Sequence, residues 1–178
     1  MAKTVGRNIK IYYDNKMKKA LKIAALALAI IFVAIQFFQI DKTEEQTDAK
    51  EMLEASVRVG PDVSMILSKS CNDCHSNKTV YPWYANVQPF GWFLKSHIDD
   101  GKRHLNFSVW NTYADKKKSK KLEEICEQVE SKEMPLPSYL WIHRDAVLSD
   151  SDRKTLCGWA NEQKGKIDAR MENAPIVN

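Results

Sequence analysis

The stretch Cys71-Asn72-Asp73-Cys74-His75 sets two thiols three positions apart, with an imidazole directly after the second. This is the C-x-x-C-H arrangement through which haem c is attached. Two thiols so spaced at a helix end can add to the two vinyl groups along one side of a porphyrin. The next imidazole then falls under the iron. Covalent attachment also keeps the cofactor on a domain too small to enclose it by burial alone. Two other chemistries use close cysteine pairs. A thiol–disulfide redox pair wants a βαβ setting, and no strand-like alternation supports one here. A structural zinc site wants a second close pair, whereas Cys126 and Cys157 stand far apart in sequence. The reading is therefore one haem c held by Cys71 and Cys74, with His75 on the iron.

Working outward, the pattern is helical on both sides. Upstream, Pro61 suits the first turn of a helix and Asp62 its positive end, with Val63, Ile66 and Leu67 as its apolar face. Downstream, an aromatic loop, Tyr81-Pro82-Trp83-Tyr84, leads to Pro89. From there a helix carrying Trp92 and His97 is expected to stop near Gly101. Ser108 reads as the cap of a short helix with Trp110 and Tyr113. Leu122, Ile125, Cys126 and Val129 recur at helical spacing, and the run must end before Met134-Pro135. Ser149 with Asp152 three residues later is a capping-box signature for a last helix holding Leu156 and Trp159. The fold class is all-α with long loops.

For the sixth ligand, Met134 comes first, since Met/His ligation is an established haem arrangement and raises the potential. His97 comes second, with His104, His143 and an open site as further alternatives. Tyr81, Trp83 and Trp92 are candidate walls for a flat cofactor. Lys102 and Arg103 are candidate partners for its propionates. The lysines between Lys116 and Lys121 read as a solvated helix start.

The N-terminal part has a different character. Residues 1–40 hold seven basic residues against Asp14 alone, leaving 20 basic and 22 acidic residues for 41–178. The basic balance therefore belongs to the arm and gives no nucleic-acid surface. From 21 to 40 the chain is apolar apart from Lys22, Gln36 and Gln39. About 20 such residues suffice to cross a bilayer. The run is longer than a signal-peptide core and no A-x-A-like site follows it, which favours a retained anchor over a cleaved signal. Basic residues before it place the N-terminus in the cytoplasm and the rest outside. The expected layout is a basic arm over 1–20, a transmembrane anchor over 21–40, a linker over 41–59 and a haem domain over 60–178. An oxidising compartment permits a Cys126–Cys157 disulfide, with two buried thiols as the alternative.

The chain from Gly60 to about Trp159 resembles the bacterial haem-binding domain family with a single C-x-x-C-H. The resemblance rests on Cys71 to Asn77, Tyr81-Pro82-Trp83-Tyr84, Val87, Pro89, Trp92, His97 and Gly101. It continues through Leu105-Asn106-Phe107-Ser108, Trp110, Met134-Pro135-Leu136, Tyr139, His143, Ala146 and Leu148-Ser149. It implies a class I cytochrome c-like fold and supports Cys71, Cys74 and His75 at the haem. The Met-Pro pair before a terminal helix is similar to the methionine region of small cytochromes c. No acid–base pair, nucleophile constellation or phosphate loop argues for substrate chemistry. The expectation is a membrane-anchored monohaem electron carrier on the outer face of a bacterial cytoplasmic membrane, working with redox partner proteins or within a respiratory complex. A haem sensor or peroxidase-like enzyme with an open sixth site is the alternative.

Overall fold

Every regular element among the described residues is helical. The computed structural model describes residues 2–43 and 45–173, with side chains from Asn15 onward. The α-helices are α1 (Ala2–Ile35), α2 (Pro61–Ser70), α3 (Asn72–His75), α4 (Phe90–His104), α5 (Asp115–Glu130), α6 (Pro137–Leu140) and α7 (Asp150–Glu172). Short 3₁₀ turns at Leu53–Ala55, Trp83–Asn86, Phe107–Thr112 and Arg144–Ala146 complete the list. The chain divides into two compact units, 1–41 with 82–94, and 42–81 with 95–178.

In the first unit, the expected span over 21–40 is not one helix. Helix α1 ends at Ile35 and the chain turns over 36–38. Its uninterrupted apolar part, Ile23 to Ile35, rises roughly 20 Å, short of the ~30 Å hydrocarbon core. Lys18, Lys19 and Lys22 occupy the turns before it. Among the described residues, no helix is long and apolar enough to cross a membrane. The apolar side chains are nevertheless exposed all round, Leu21, Ile23, Leu26, Leu28, Ile30 and Ile31 among them. Gln36 and Gln39, the polar exceptions in the run, clamp the 82–94 loop. The Gln36 amide donates to Gln88 O (3.0 Å) and accepts from Gln88 N (2.9 Å), and the Gln39 amide donates to Asn86 O (3.3 Å).

The second unit is built on α5 and α7, which pack along each other and are joined by a Cys126–Cys157 disulfide. Of the two states left open by the sequence, this is the paired one. Leu122, Val129, Leu156 and Trp159 of this pair are buried in the main core cluster, to which α2 adds Val63, Ile66 and Leu67. Gly60 and Pro61 start α2 as expected. At α7, Ser149 Oγ accepts from Asp152 N (3.0 Å) while Asp152 Oδ2 accepts from Ser149 N (2.9 Å), the full capping box.

Three local readings change. The stretch read as a linker, 41–59, supplies core residues. Leu53 and Val57 are buried in the main cluster, and Trp159 Nε1 donates to Arg58 O (3.0 Å). The Asn111 side chain also donates to Lys50 O and Met52 O. Next, Asn106 rather than Ser108 caps the 107–112 turn, its side chain accepting from Ser108 N. Ser108 Oγ instead accepts from the Asn77 backbone (2.9 Å). Finally, α4 runs through Gly101 to His104. A Cβ at position 101 would stand 2.6 Å from the Cys74 carbonyl oxygen. That glycine serves close packing within the helix rather than its end.

Candidate functional site

The end of α2 delivers the cysteine pair. Cys71 caps the helix with its N–H on Leu67 O, and α3 then carries Cys74 and His75 through one further turn. The segment after it is lashed down by buried polar groups. Ser76 Oγ donates to Asn72 O (2.8 Å), and Asn106 Nδ2 donates to Asn77 Oδ1 (2.8 Å). Asp73 Oδ2 accepts from the Tyr139 hydroxyl (2.8 Å), with Tyr139 stacked on His143 at 4.1 Å.

His75 is the most constrained side chain of the group. Its Nδ1 lies 3.1 Å from Gly101 O and 2.9 Å from Leu105 O. Both partners are carbonyl oxygens, so Nδ1 carries the proton and donates to them. The neutral ring then keeps its Nε2 lone pair for a ligand, the usual tautomer logic of a metal-binding histidine. Burial holds the imidazole pKa below its ordinary value, outweighing the two carbonyl hydrogen bonds that raise it. Burial likewise pushes the Cys71 thiol up to about 12, with the neighbouring Cys74 adding to it. The Cys74 thiol is pushed up to about 11 by burial and then by Asp73. Such thiols stay neutral at physiological pH, unlike the low-pKa cysteines of disulfide exchange.

These three residues share one cavity of about 580 Å³, within the ~300–1,000 Å³ range of ligand sites. Its walls are largely apolar, with Leu67, Leu105, Phe107, Ile125, Val129 and Leu156 among them. Met134 and Pro135 line it, and so do His97 and His104. His143 does not line it. Two half-buried thiols beside a ligand-ready imidazole, a thioether and apolar walls fit a haem in donor chemistry and in room.

The remaining sequence candidates are placed as follows. Tyr81 is half-buried and does not line the cavity. Trp83 and Trp92 belong to the first unit, where Trp83 is exposed against the edge of Tyr84 and Trp92 Nε1 donates to Phe38 O. Arg103 is exposed and pairs with Asp100, and Lys102 pairs with Glu45 at 3.5 Å. Both lie by a smaller, polar recess rather than the cavity. The positive charge that does reach the cavity is Lys121, paired with Glu124 on α5. The positions 121, 125 and 128 follow the helical period, a signal that was masked by the surrounding lysine run. Gly101 and the Leu105 carbonyl are the other functional positions that sequence reasoning did not assign.

The model of a family described as a haem-binding domain matches residues 30–162. No curated protein and no solved structure matches the chain.

Proposed function

Because the chain belongs to the haem-binding domain family, we propose that it carries one haem c on Cys71, Cys74 and His75 and passes single electrons between redox partners. The observation that carries this reading is His75, whose Nδ1 is fixed by two backbone carbonyls while the Cys71 and Cys74 thiols line the same cavity. When bound, the haem supplies a reversible one-electron iron couple. The residues of the chain do the rest. The thiols of Cys71 and Cys74 would tether the haem, and His75, with Nδ1 held by two carbonyls, would offer Nε2 to the iron. Met134, on the same cavity, is the proposed sixth ligand, and its thioether favours the reduced state. Apolar walls from α2, α5 and α7 exclude water. Lys121 is the proposed partner for a propionate, replacing Arg103 in that role.

The class I cytochrome c-like arrangement belongs to the same proposal, as does the setting. A helix that is apolar all round needs a core or lipid to cover it. The exposed apolar part of α1 is therefore proposed to hold the protein in the bacterial cytoplasmic membrane. The Cys126–Cys157 disulfide suits the oxidising, outer side of that membrane.

His97 and His104 on the cavity wall favour a second reading, a sensor or peroxidase-like site with a displaceable sixth ligand. A carbon monoxide difference spectrum of the reduced protein, matured in cells that attach haem c, separates the two. The electron-carrier reading expects no spectral change in the native chain and a saturable change in Met134→Ala. A prompt change in the native chain would sink it in favour of the open site.

A further inference from the structure

The first unit contains a second feature that electron transfer does not use. No Asp, Glu, Lys, Arg or His occurs between Ile23 and Ile40 or between Pro82 and Leu94, in a chain that is 28% charged. Charges resume at Asp41, Lys42 and Lys95, just beyond these two stretches. The structure packs the two stretches together, and it does so inside out. Many polar groups of the loop find partners within the unit, the buried Gln88 Nε2 being an exception. Gln36 bonds both the N–H and the C=O of Gln88, Gln39 bonds Asn86 O, Asn86 Nδ2 donates to Trp83 O, and the Gln88 side chain accepts from Trp92 N. Gln88 itself is fully buried. The aromatic rings are what face outward: Phe37 (83% exposed), Phe38, Trp83 (76%), Phe90, Trp92 and Phe93.

A loop in water normally does the reverse, hiding its rings and leaving its carbonyls to solvent. Pairing backbone groups internally beneath exposed aromatic rings suits contact with lipid, where an unsatisfied backbone group costs several kcal/mol. Trp and Tyr concentrate at the boundary between headgroups and acyl chains, and Trp, Phe and Leu form the apolar face of segments that lie in it. We propose that residues 82–94, clamped to the end of α1 by Gln36 and Gln39, are a membrane-interface element whose exposed aromatic rings lie at the headgroup boundary of the bilayer. The occupant of this surface is lipid. The surface is continuous with the exposed apolar helix and carries no charge, which selects lipid and rests on the reading that α1 lies in the membrane.

The test uses the full haem-loaded chain in vesicles of phosphatidylethanolamine and phosphatidylglycerol. Spin labels are attached without reductant at Leu28→Cys, Trp83→Cys and Phe93→Cys, with Lys132→Cys as an aqueous reference. Accessibility to oxygen, which concentrates in lipid, is compared with accessibility to a water-soluble nickel chelate. The proposal expects all three sites to shift toward oxygen relative to position 132, with 83 and 93 shallower than 28. Oxygen preference at 28 together with water-like values at 83 and 93 would overturn the interface element and leave the anchor standing. A water-like value at 28 would overturn the anchor, and the proposal with it. Shielding of 83 and 93 from both reagents would identify a protein cover instead of lipid.

Discussion

His75 and Gly101 act as a pair. The carbonyl of Gly101 fixes the imidazole, and the absence of a Cβ at 101 lets α4 approach Cys74 closely enough to do so. Helix propensity alone would favour alanine over glycine by ~1 kcal/mol. At Gly101 the added methyl would meet backbone atoms of Cys74 that cannot rotate away. Gly101→Ala is therefore expected to destabilise the protein by about 1–3 kcal/mol, read as a lower urea midpoint. Gly158→Ala on α7, where a Cβ meets nothing within 4 Å, is expected to stabilise by about 0.5–1 kcal/mol. If both variants moved in the same direction, the packing role of Gly101 would be wrong. This role was not legible in the sequence, because a glycine that ends a helix and one that admits a neighbour look alike until the neighbour is placed.

At the scale of elements, the last helix is the best specified by its own residues. Ser149 and Asp152 form both hydrogen bonds of the capping box, and Lys69 adds an ion pair to Asp152 at 3.2 Å. The Asp152 pKa is lowered, chiefly by the hydrogen bond from the Ser149 backbone. A carboxyl group with a depressed native pKa gives stability that is present above its unfolded value, ~3.9, and is lost as pH falls through the native value. Ser149→Ala is expected to cost ~1 kcal/mol at neutral pH. Asp152→Asn is expected to flatten the acid limb of a stability–pH curve below about pH 4; an unchanged acid limb would contradict the assignment. The α5–α7 pair carries the disulfide across a separation of 31 residues. Replacing both cysteines with serine is expected to cost roughly 3 kcal/mol, seen as a lower thermal midpoint under oxidising conditions and no further drop on adding reductant. Helices α2, α5 and α7 were readable because caps and apolar periods are local signals. Leu53 and Val57 were not, because isolated apolar residues in a polar stretch show no period. Lys121 was hidden for a similar reason, since its charge matched the exposed run around it.

For the whole molecule, the sequence carried the chemistry of one wall of the cavity, and the fold supplied the rest of it. Cys71, Cys74 and His75 are adjacent in the chain, so their spacing could be read directly. Met134, His97, His104 and Lys121 come from three other parts of the chain and meet only through tertiary packing. Likewise, Gln36 and Gln39 interrupt an apolar run for no local reason, and their partners lie some fifty residues away. Covalent attachment of one haem at Cys71 and Cys74 is tested by the mass of the chain after maturation in cells that attach haem c, measured after denaturation and extraction with acidified acetone. The expected result is a mass gain of one haem that survives extraction, is confined to the peptide containing Cys71–His75, and is lost in Cys71→Ala/Cys74→Ala. A chain that releases its haem to the solvent, or one with unmodified thiols at 71 and 74, would contradict it.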